Sequence, residues 1–312
     1  MTKILVTGAS GFVGSALCDT SRARGIDFLP AVRQATQSSQ FAVGDLSDAT
    51  DWTLALSKHD VVLHLAARVH VMNDKSSNPL TAFRAINVDA TMNLAKQAAR
   101  NGIKRFVYVS SVKVNGEATI KTPFTAFDQP APLDPYGQSK LEAEMALREL
   151  SRSAGMEIVV VRPPLVYGPG VRANFRRLMQ LVKLGIPLPL GAIHNSRSMV
   201  SLDNLVDLLI TCSQHPDAAG ETFMVSDDCD VSVADLLRML SHAMGKRSLL
   251  LPIPSKIIYS AAALAGKSAV ADRLLGSLQV DIAHTKTVLQ WKPVATVQES
   301  LAKTVAHFMK QH

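Results

Sequence analysis

The chain is poor in cysteine and in aromatic side chains: of 312 residues three are Cys (Cys18, Cys212 and Cys229), and Phe, Trp and Tyr together make 5%. No pair of cysteines has CxxC or other metal-ligand spacing, so nothing points to a zinc module or another metal site. Cys18 falls in an apolar helical pattern, and all three read as reduced core or surface residues. No run of Lys and Arg and no interleaving of basic with aromatic residues occurs, which leaves no track for a nucleic-acid backbone. Long apolar runs are missing too. The best one late in the chain, "IIYSAAALAG" (257–266), is about half the ~20 residues that span a bilayer. It is bracketed by Lys256 and Lys267, so it reads as a buried or interfacial helix and not as a membrane span. The chain opens "MTKILVTG", a strand by residue 3, which leaves no room for a charged-then-apolar signal segment and makes a cytoplasmic protein the expectation.

What is present is an ordinary globular composition, 47% apolar and 19% charged, in a chain long enough for one large α/β domain or two unequal lobes. Lys plus Arg exceed Asp plus Glu by 33 − 26 = 7. That balance favours an anionic partner, and without a nucleic-acid track a phosphorylated small molecule is the candidate.

Short β-branched runs, "KILVT" (3–7), "DFLPAV" (27–32), "FAV" (41–43), "DVVLHLAA" (60–67), "RFVYVSS" (105–111) and "EIVVVRP" (157–163), alternate with helical patterns over 12–25, 78–102 and 134–155 that stop near Gly25, Gly102 and Gly155. Alternation of this kind predicts an α/β fold, a doubly wound parallel sheet with helices on both faces. Beyond about residue 164 the elements shorten and Pro and Gly increase. The boundary is therefore set at 163: a dinucleotide-binding domain over 1–163, and over 164–312 a smaller, irregular C-terminal lobe for substrate, from which 197–226 returns to the first domain.

"ILVTGASGFVG" sets Gly8, Gly11 and Gly14 directly after a strand and at the mouth of a helix. Glycines there allow a tight turn and close approach of backbone to a pyrophosphate seated on the helix N-terminus. At the end of the second strand such a unit carries an acid for an adenosine ribose or an arginine for a 2′-phosphate. Here Val32 is followed by Arg33, which favours NADP(H), with NAD(H) the alternative. "GDL" after the third strand offers Asp45 to an adenine amino group, and "HLAA" ends the fourth beside the cofactor; His64 itself reads as a packed strand residue. Tyr136 and Lys140, four apart in "YGQSK", share one face of a helix, and an ammonium so placed favours the phenolate. "YVSSVKVNG" ends a strand on Ser110 and Ser111, at the carboxyl edge where ligands of open α/β sheets bind.

Taken in order, "TGASGFVG", "GDL", "HLAA", "INVDATMNL", "VSSVKVNG", "YGQSK", "VRPPLVYGPG" and "VDIAHTKTVLQWKP" make the chain resemble the extended short-chain dehydrogenase/reductase superfamily, in the branch of UDP-glucose 4-epimerases and nucleotide-sugar 4-ketoreductases. The resemblance implies a Rossmann-type fold and a site in which Ser111 orients a sugar hydroxyl or carbonyl and Tyr136 exchanges the proton. It implies that Lys140 holds the nicotinamide ribose and lowers the Tyr136 pKa, with Asn87 completing the hydrogen-bonded support. Cofactor contacts would come from Gly8, Ser10, Gly11, Phe12, Val13, Gly14, Arg33, Asp45, Leu46, Leu65, Ala66, Ala67 and Pro163, besides Tyr136 and Lys140. Ser110, Ser111, Asn174, Phe175, Arg197 and Arg273 would hold a UDP-sugar, Asn174 and Phe175 near the base and the two arginines on phosphate. Two departures, Asn115 in "VNG" where many relatives have "VYG" and Leu165 after "VRPP", alter the sugar pocket and weigh against plain UDP-glucose. A homodimer through the helices at 78–101 and 134–154 is also implied.

Because a reductase consumes a nicotinamide at each turnover and cells keep NADPH for that direction, Arg33 favours reduction. The expectation is NADPH-dependent reduction of the C4 keto group of a UDP-4-keto-6-deoxy-N-acetylhexosamine for surface polysaccharide synthesis. The alternatives are a redox-neutral UDP-hexose or UDP-N-acetylhexosamine 4-epimerase, and a non-catalytic NAD(P)-binding protein.

Overall fold

The computed structural model describes residues 2–69 and 78–311. Strands β1 (Ile4–Thr7), β2 (Phe28–Val32), β3 (Phe41–Ala42), β4 (Val61–His64), β5 (Arg105–Val109) and β6 (Glu157–Arg162) are nearly continuous apolar runs, as strands covered on both faces must be. A two-stranded sheet of β7 (Leu165–Tyr167) and β8 (Met199–Ser201) stands apart from them, and β9 (Thr222–Met224) pairs with β6. The main sheet has the order β3-β2-β1-β4-β5-β6-β9 with every pairing parallel. Chain direction along the sheet reverses between β1 and β4, and a crevice opens at the carboxyl ends of strands on either side of such a point.

The helices are α1 (Phe12–Ala23), α2 (Thr53–Leu56), α3 (Pro79–Arg84), α4 (Thr91–Arg100), α5 (Pro135–Ala154), α6 (Ala173–Leu184), α7 (Leu202–Gln214), α8 (Val233–Ala243), α9 (Ser255–Leu264), α10 (Ser268–Leu275), α11 (Ala283–Leu289) and α12 (Val297–Lys310). The helix expected over 78–102 is one rod with a π-helical stretch, Ala85–Ala90, joining α3 to α4. Helix α5 shows its boundaries in sequence. Asp134 caps it by accepting from Gly137 N at 2.7 Å, Pro135 occupies the first turn, and Gly155 ends it in the left-handed region at φ 69.

Side chains alternate across β1: Ile4 and Val6 enter one buried cluster with α7 and β9, and Leu5 enters the cluster under α4 and α5. The second lobe has its own core, built from α6, α8 and α12 around Tyr167, Phe175, Leu237 and Val305. Segment 197–226 supplies β8, α7 and β9, and β9 is the seventh strand of the main sheet.

Candidate active site

The turn after β1 is shaped by backbone crowding. Gly8 has φ 66, and a Cβ on it would lie 2.7 Å from Ala66 N; a Cβ on Gly14 would lie 2.1 Å from the Gly8 carbonyl oxygen. No side chain fits at either place. Helix α1 then begins with Gly11 as its cap, without a side-chain cap and without an acid in the first turn. Its unpaired N–H groups and positive dipole end are left for an outside anion.

This turn borders a cavity of about 1260 Å³, above the ~300–1,000 Å³ of ordinary small-molecule pockets. Gly8, Ser10, Gly11, Phe12, Val13, Gly14, Arg33, Asp45, Leu46, Leu65, Ala66, Ala67, Ser110, Ser111, Tyr136, Lys140 and Pro163 all line it. Its size, its uncapped helix terminus and its glycine-shaped wall suit an extended dinucleotide. At the far end Arg33 Nε meets Asp45 Oδ1 at 2.8 Å, both side chains more than three-quarters exposed. The arginine at the end of β2 therefore has a partner within the chain.

Ser111 and Tyr136 are brought together by close packing of two turns. Gly137 lies against the Lys113 carbonyl so tightly that a Cβ would come within 2.7 Å of it. Lys113 pairs with Asp134, the α5 cap, and Ser111 Oγ accepts from Lys113 N at 3.2 Å. The Tyr136 phenol is pushed up to about 12, chiefly by burial and also by the charge of Asp134, while a hydrogen bond with Ser111 works the other way. Lys140 is pushed down to about 7 by burial, with Glu144, one turn further along α5, opposing the shift. Its ammonium donates to the Val109 carbonyl at 2.9 Å and lies 4.6 Å from the Tyr108 ring centre and 5.9 Å from that of Tyr136. The expectation that Lys140 holds Tyr136 below its usual range is corrected here: burial outweighs it, and the phenol is a weak acid in this environment.

Behind these groups are residues that sequence reasoning passed over. Ser110 donates to Glu144 Oε1 at 2.5 Å, and Arg162 clasps the same carboxylate through Nε and Nη2 at 3.0 and 2.6 Å. Arg162 Nη1 donates to Asn115 Oδ1 at 3.0 Å, and Asn115 Nδ2 donates to the Thr125 carbonyl at 2.9 Å. Asn115 is thus buried in this network, and Leu165 lies between the lining residues Pro164 and Val166 without itself lining the cavity. Neither departure from the family pattern borders the cleft. The signal for Glu144 was its place four residues after Lys140 on one helix face. Nothing in the sequence pairs it with Arg162.

Asn87 is fully buried and does not reach the cleft. Its Oδ1 accepts from Arg68 N at 2.8 Å, and its Nδ2 donates to the Arg68 carbonyl at 3.1 Å and to Ser139 Oγ at 2.9 Å; Ser139 in turn donates to the Tyr136 carbonyl at 2.8 Å. It is a positioning residue, linking the loop after β4 to the turn of α5 between Tyr136 and Lys140. His64 is buried between Thr7 Oγ1 at 2.7 Å and Thr91 Oγ1 at 3.0 Å. Burial, helped by the charge of Lys140, drives it down to about 3 and keeps it neutral.

In the second lobe Phe175 departs from its expected role. It is 2% exposed and stacks on Tyr167 at 5.4 Å in the lobe's core, because α6 buries it together with Met179 and Val182. Asn174 is exposed and lies off the cavity wall. Arg197 and Arg273 meet, but through backbone: Arg197 Nη1 donates to the carbonyls of Arg273 at 2.9 Å and Gly276 at 2.8 Å. Arg172 and His307, both missed from sequence, line the cavity from this lobe.

The model of the NAD dependent epimerase/dehydratase family matches residues 4–226. The chain is 49% identical over 315 aligned residues to a UDP-glucose 4-epimerase of Vibrio cholerae, covering 99% of this chain and 96% of that protein. It is 29% identical to the N-acetyl-alpha-D-glucosaminyl-diphospho-ditrans,octacis-undecaprenol 4-epimerase of Escherichia coli O157:H7, over 81% of this chain and 76% of that one. Among solved structures, the UDP-N-acetylglucosamine 4-epimerase from Bacillus cereus superposes over 100% of both chains with a TM-score of 0.82 at 22% identity, a likeness of fold.

Proposed function

The chain belongs to the NAD dependent epimerase/dehydratase family, and from that membership we propose that it is a redox-neutral 4-epimerase of a UDP-hexose. The observation that carries this reading is the 49% identity to a UDP-glucose 4-epimerase across almost the whole of both chains. Convergence of Ser111, Tyr136 and Lys140 on one cleft supports it. The reductive reading favoured from sequence rested on Arg33, and that guanidinium pairs with Asp45.

NAD, bound with its diphosphate on the uncapped start of α1, would supply a hydride acceptor that returns the hydride to the opposite face of C4. The residues do the rest. Ser111 hydrogen-bonds the hydroxyl at C4 and turns it toward the Tyr136 oxygen. Tyr136 takes that proton and later gives it back, so no net acid or base is consumed. A phenol near 12 must be lowered before it can act as a base. The cation placed for this is Lys140, one turn away in a buried site where charges are weakly screened. Asn87, acting through Ser139, keeps the helical turn that carries both groups in register. Arg172 on the cleft wall, with Arg197 and Arg273 beyond it, offers positive charge to a sugar diphosphate. Residues 158–202 contain no Asp or Glu to oppose them. Exposure of Met145 at 63% on α5 accords with a homodimer through that helix.

The test is to supply UDP-glucose, UDP-galactose and their N-acetyl counterparts to the purified protein and follow sugar and nicotinamide together. Interconversion without net change in nicotinamide is the expected result. Stoichiometric loss of NADPH with a UDP-4-keto-6-deoxy-N-acetylhexosamine, and no interconversion of ordinary UDP-hexoses, would replace epimerisation with reduction.

A further inference from the structure

Helix α9, from the apolar stretch that stood out in sequence, has no buried residue along its whole length. Ile258 packs against the core of the second lobe and, with Ala262 four residues on, is half-buried. The remaining surface faces outward and is apolar: Ile257 is 59% exposed, Tyr259 43% and Leu264 91%. The segment leading into the helix presents Leu249 and Leu251 at 46% and 49% exposure. That segment is held in place by backbone pairing of Leu188 with 249–251, so the leucines stand on a fixed frame.

Charge decides what could cover this face. Residues 236–271 contain no Asp or Glu, and the apolar groups alternate with exposed Lys246, Arg247, Lys256 and Lys267. A second copy packed face to face would set these cations against their own kind. An anionic, apolar-cored surface satisfies both features at once, with lysine stems lying along the apolar boundary and ammonium groups at its charged edge. Ten residues of α9 extend about 15 Å, half the ~30 Å of a bilayer core. No helix among the described residues is long and apolar enough to cross a membrane, so a helix of this length lies on the surface.

We propose that the second lobe docks on an anionic lipid bilayer through α9 and the leucine segment before it. The inference is independent of the reaction assigned to the cleft.

The experiment is flotation of the full chain with vesicles of phosphatidylglycerol and phosphatidylcholine, against vesicles of phosphatidylcholine alone. Binding to the anionic vesicles, weakened by salt, is expected. Lys256→Gln with Lys267→Gln should lower the partition coefficient roughly 30-fold, and Ile257→Ser with Leu264→Ser should reduce it to background. Circular dichroism and catalytic turnover in solution should be unchanged in both. Absence of binding to anionic vesicles would overturn the proposal. So would undiminished binding of the serine variant, which would reduce the effect to the general charge of a basic protein. Conversion of a dimer to a monomer by the serine variant in light scattering would assign the face to a second copy and overturn it as well.

Discussion

Arg162 and Glu144 form a two-pronged ion pair with side-chain exposures of 4% and 2%, directly behind Ser110. The pair ties strand β6 to helix α5, and so holds the helix that carries Tyr136 and Lys140 against the strand ends that present the serines. A buried pair of this kind gains little over apolar residues of the same shape but costs much when halved.

Glu144→Gln should therefore destabilise the fold by about 3–5 kcal/mol, since Arg162 keeps its charge and loses its counter-ion. Glu144→Leu combined with Arg162→Met should recover most of that loss. Urea unfolding of the two variants and the wild type reads the difference; equal losses would mean that the pair contributes no more than its volume.

Tyr136→Phe removes the proton carrier and leaves the ring against Phe83, 6.0 Å away. Turnover should fall by roughly 10²–10⁴-fold with nicotinamide affinity nearly unchanged, as measured by steady-state kinetics and by fluorescence titration. Undiminished kcat would take Tyr136 out of the reaction.

Lys140 has a folded-state pKa of about 7 against an ordinary value of 10.5. Between these two values the unfolded chain holds a proton that the folded one has given up, so this group's contribution makes stability rise with pH across that window and level off outside it. Below about 7 the folded state bears the full cost of the buried ammonium. The stability of the wild type relative to Lys140→Met should increase from neutral pH toward 10.5 in denaturant titrations. A flat difference would show that burial does not govern Lys140.

With Arg33 engaged by Asp45 in an exposed ion pair of small worth, Arg33→Ala should change NADH and NADPH affinity alike, within about fivefold. A loss confined to NADPH and larger than about tenfold, the size of a hydrogen bond to a charged group, would restore the 2′-phosphate to Arg33. Isothermal titration with both nucleotides distinguishes the outcomes.

Gly14→Ala would place a methyl 2.1 Å from the Gly8 carbonyl oxygen, backbone that cannot give way. Dinucleotide affinity should be lost together with the turn. Gly25→Ala makes a useful contrast, since nothing lies within 4 Å of a Cβ there but φ is +65. It should cost only about 1 kcal/mol of stability and leave binding intact.

The strands and long helices were legible because their apolar periodicity and their end signals, Asp134, Pro135 and Gly155 for α5, are local. The cleft was legible for a related reason: β1, β4 and β5 are parallel neighbours, so whatever follows each strand gathers at one edge. The second lobe was harder. Phe175 reads from sequence as a ring free to face a ligand, but only the packing of α6 against Tyr167 decides that it is core. Arg172 and His307 are 135 residues apart and meet at the cavity by tertiary packing alone. The proton affinity of Tyr136 was misjudged because spacing reports the nearness of a lysine and says nothing of the depth of burial.

The π-helical stretch between α3 and α4 carries one more consequence. Each residue of an α-helix advances the azimuth by about 100°, so the wider turn over Ala85–Ala90 resets the angular phase of everything after it. Phe83 before the stretch and Leu94, Ala95 and Ala98 after it all reach the interior, and Asn87 does so from within. Excising one residue there would restore uniform winding and rotate the apolar stripe of α4 by more than a quarter of a circle. The rod connecting α3 to α4 thus tolerates substitution far better than any change in its length.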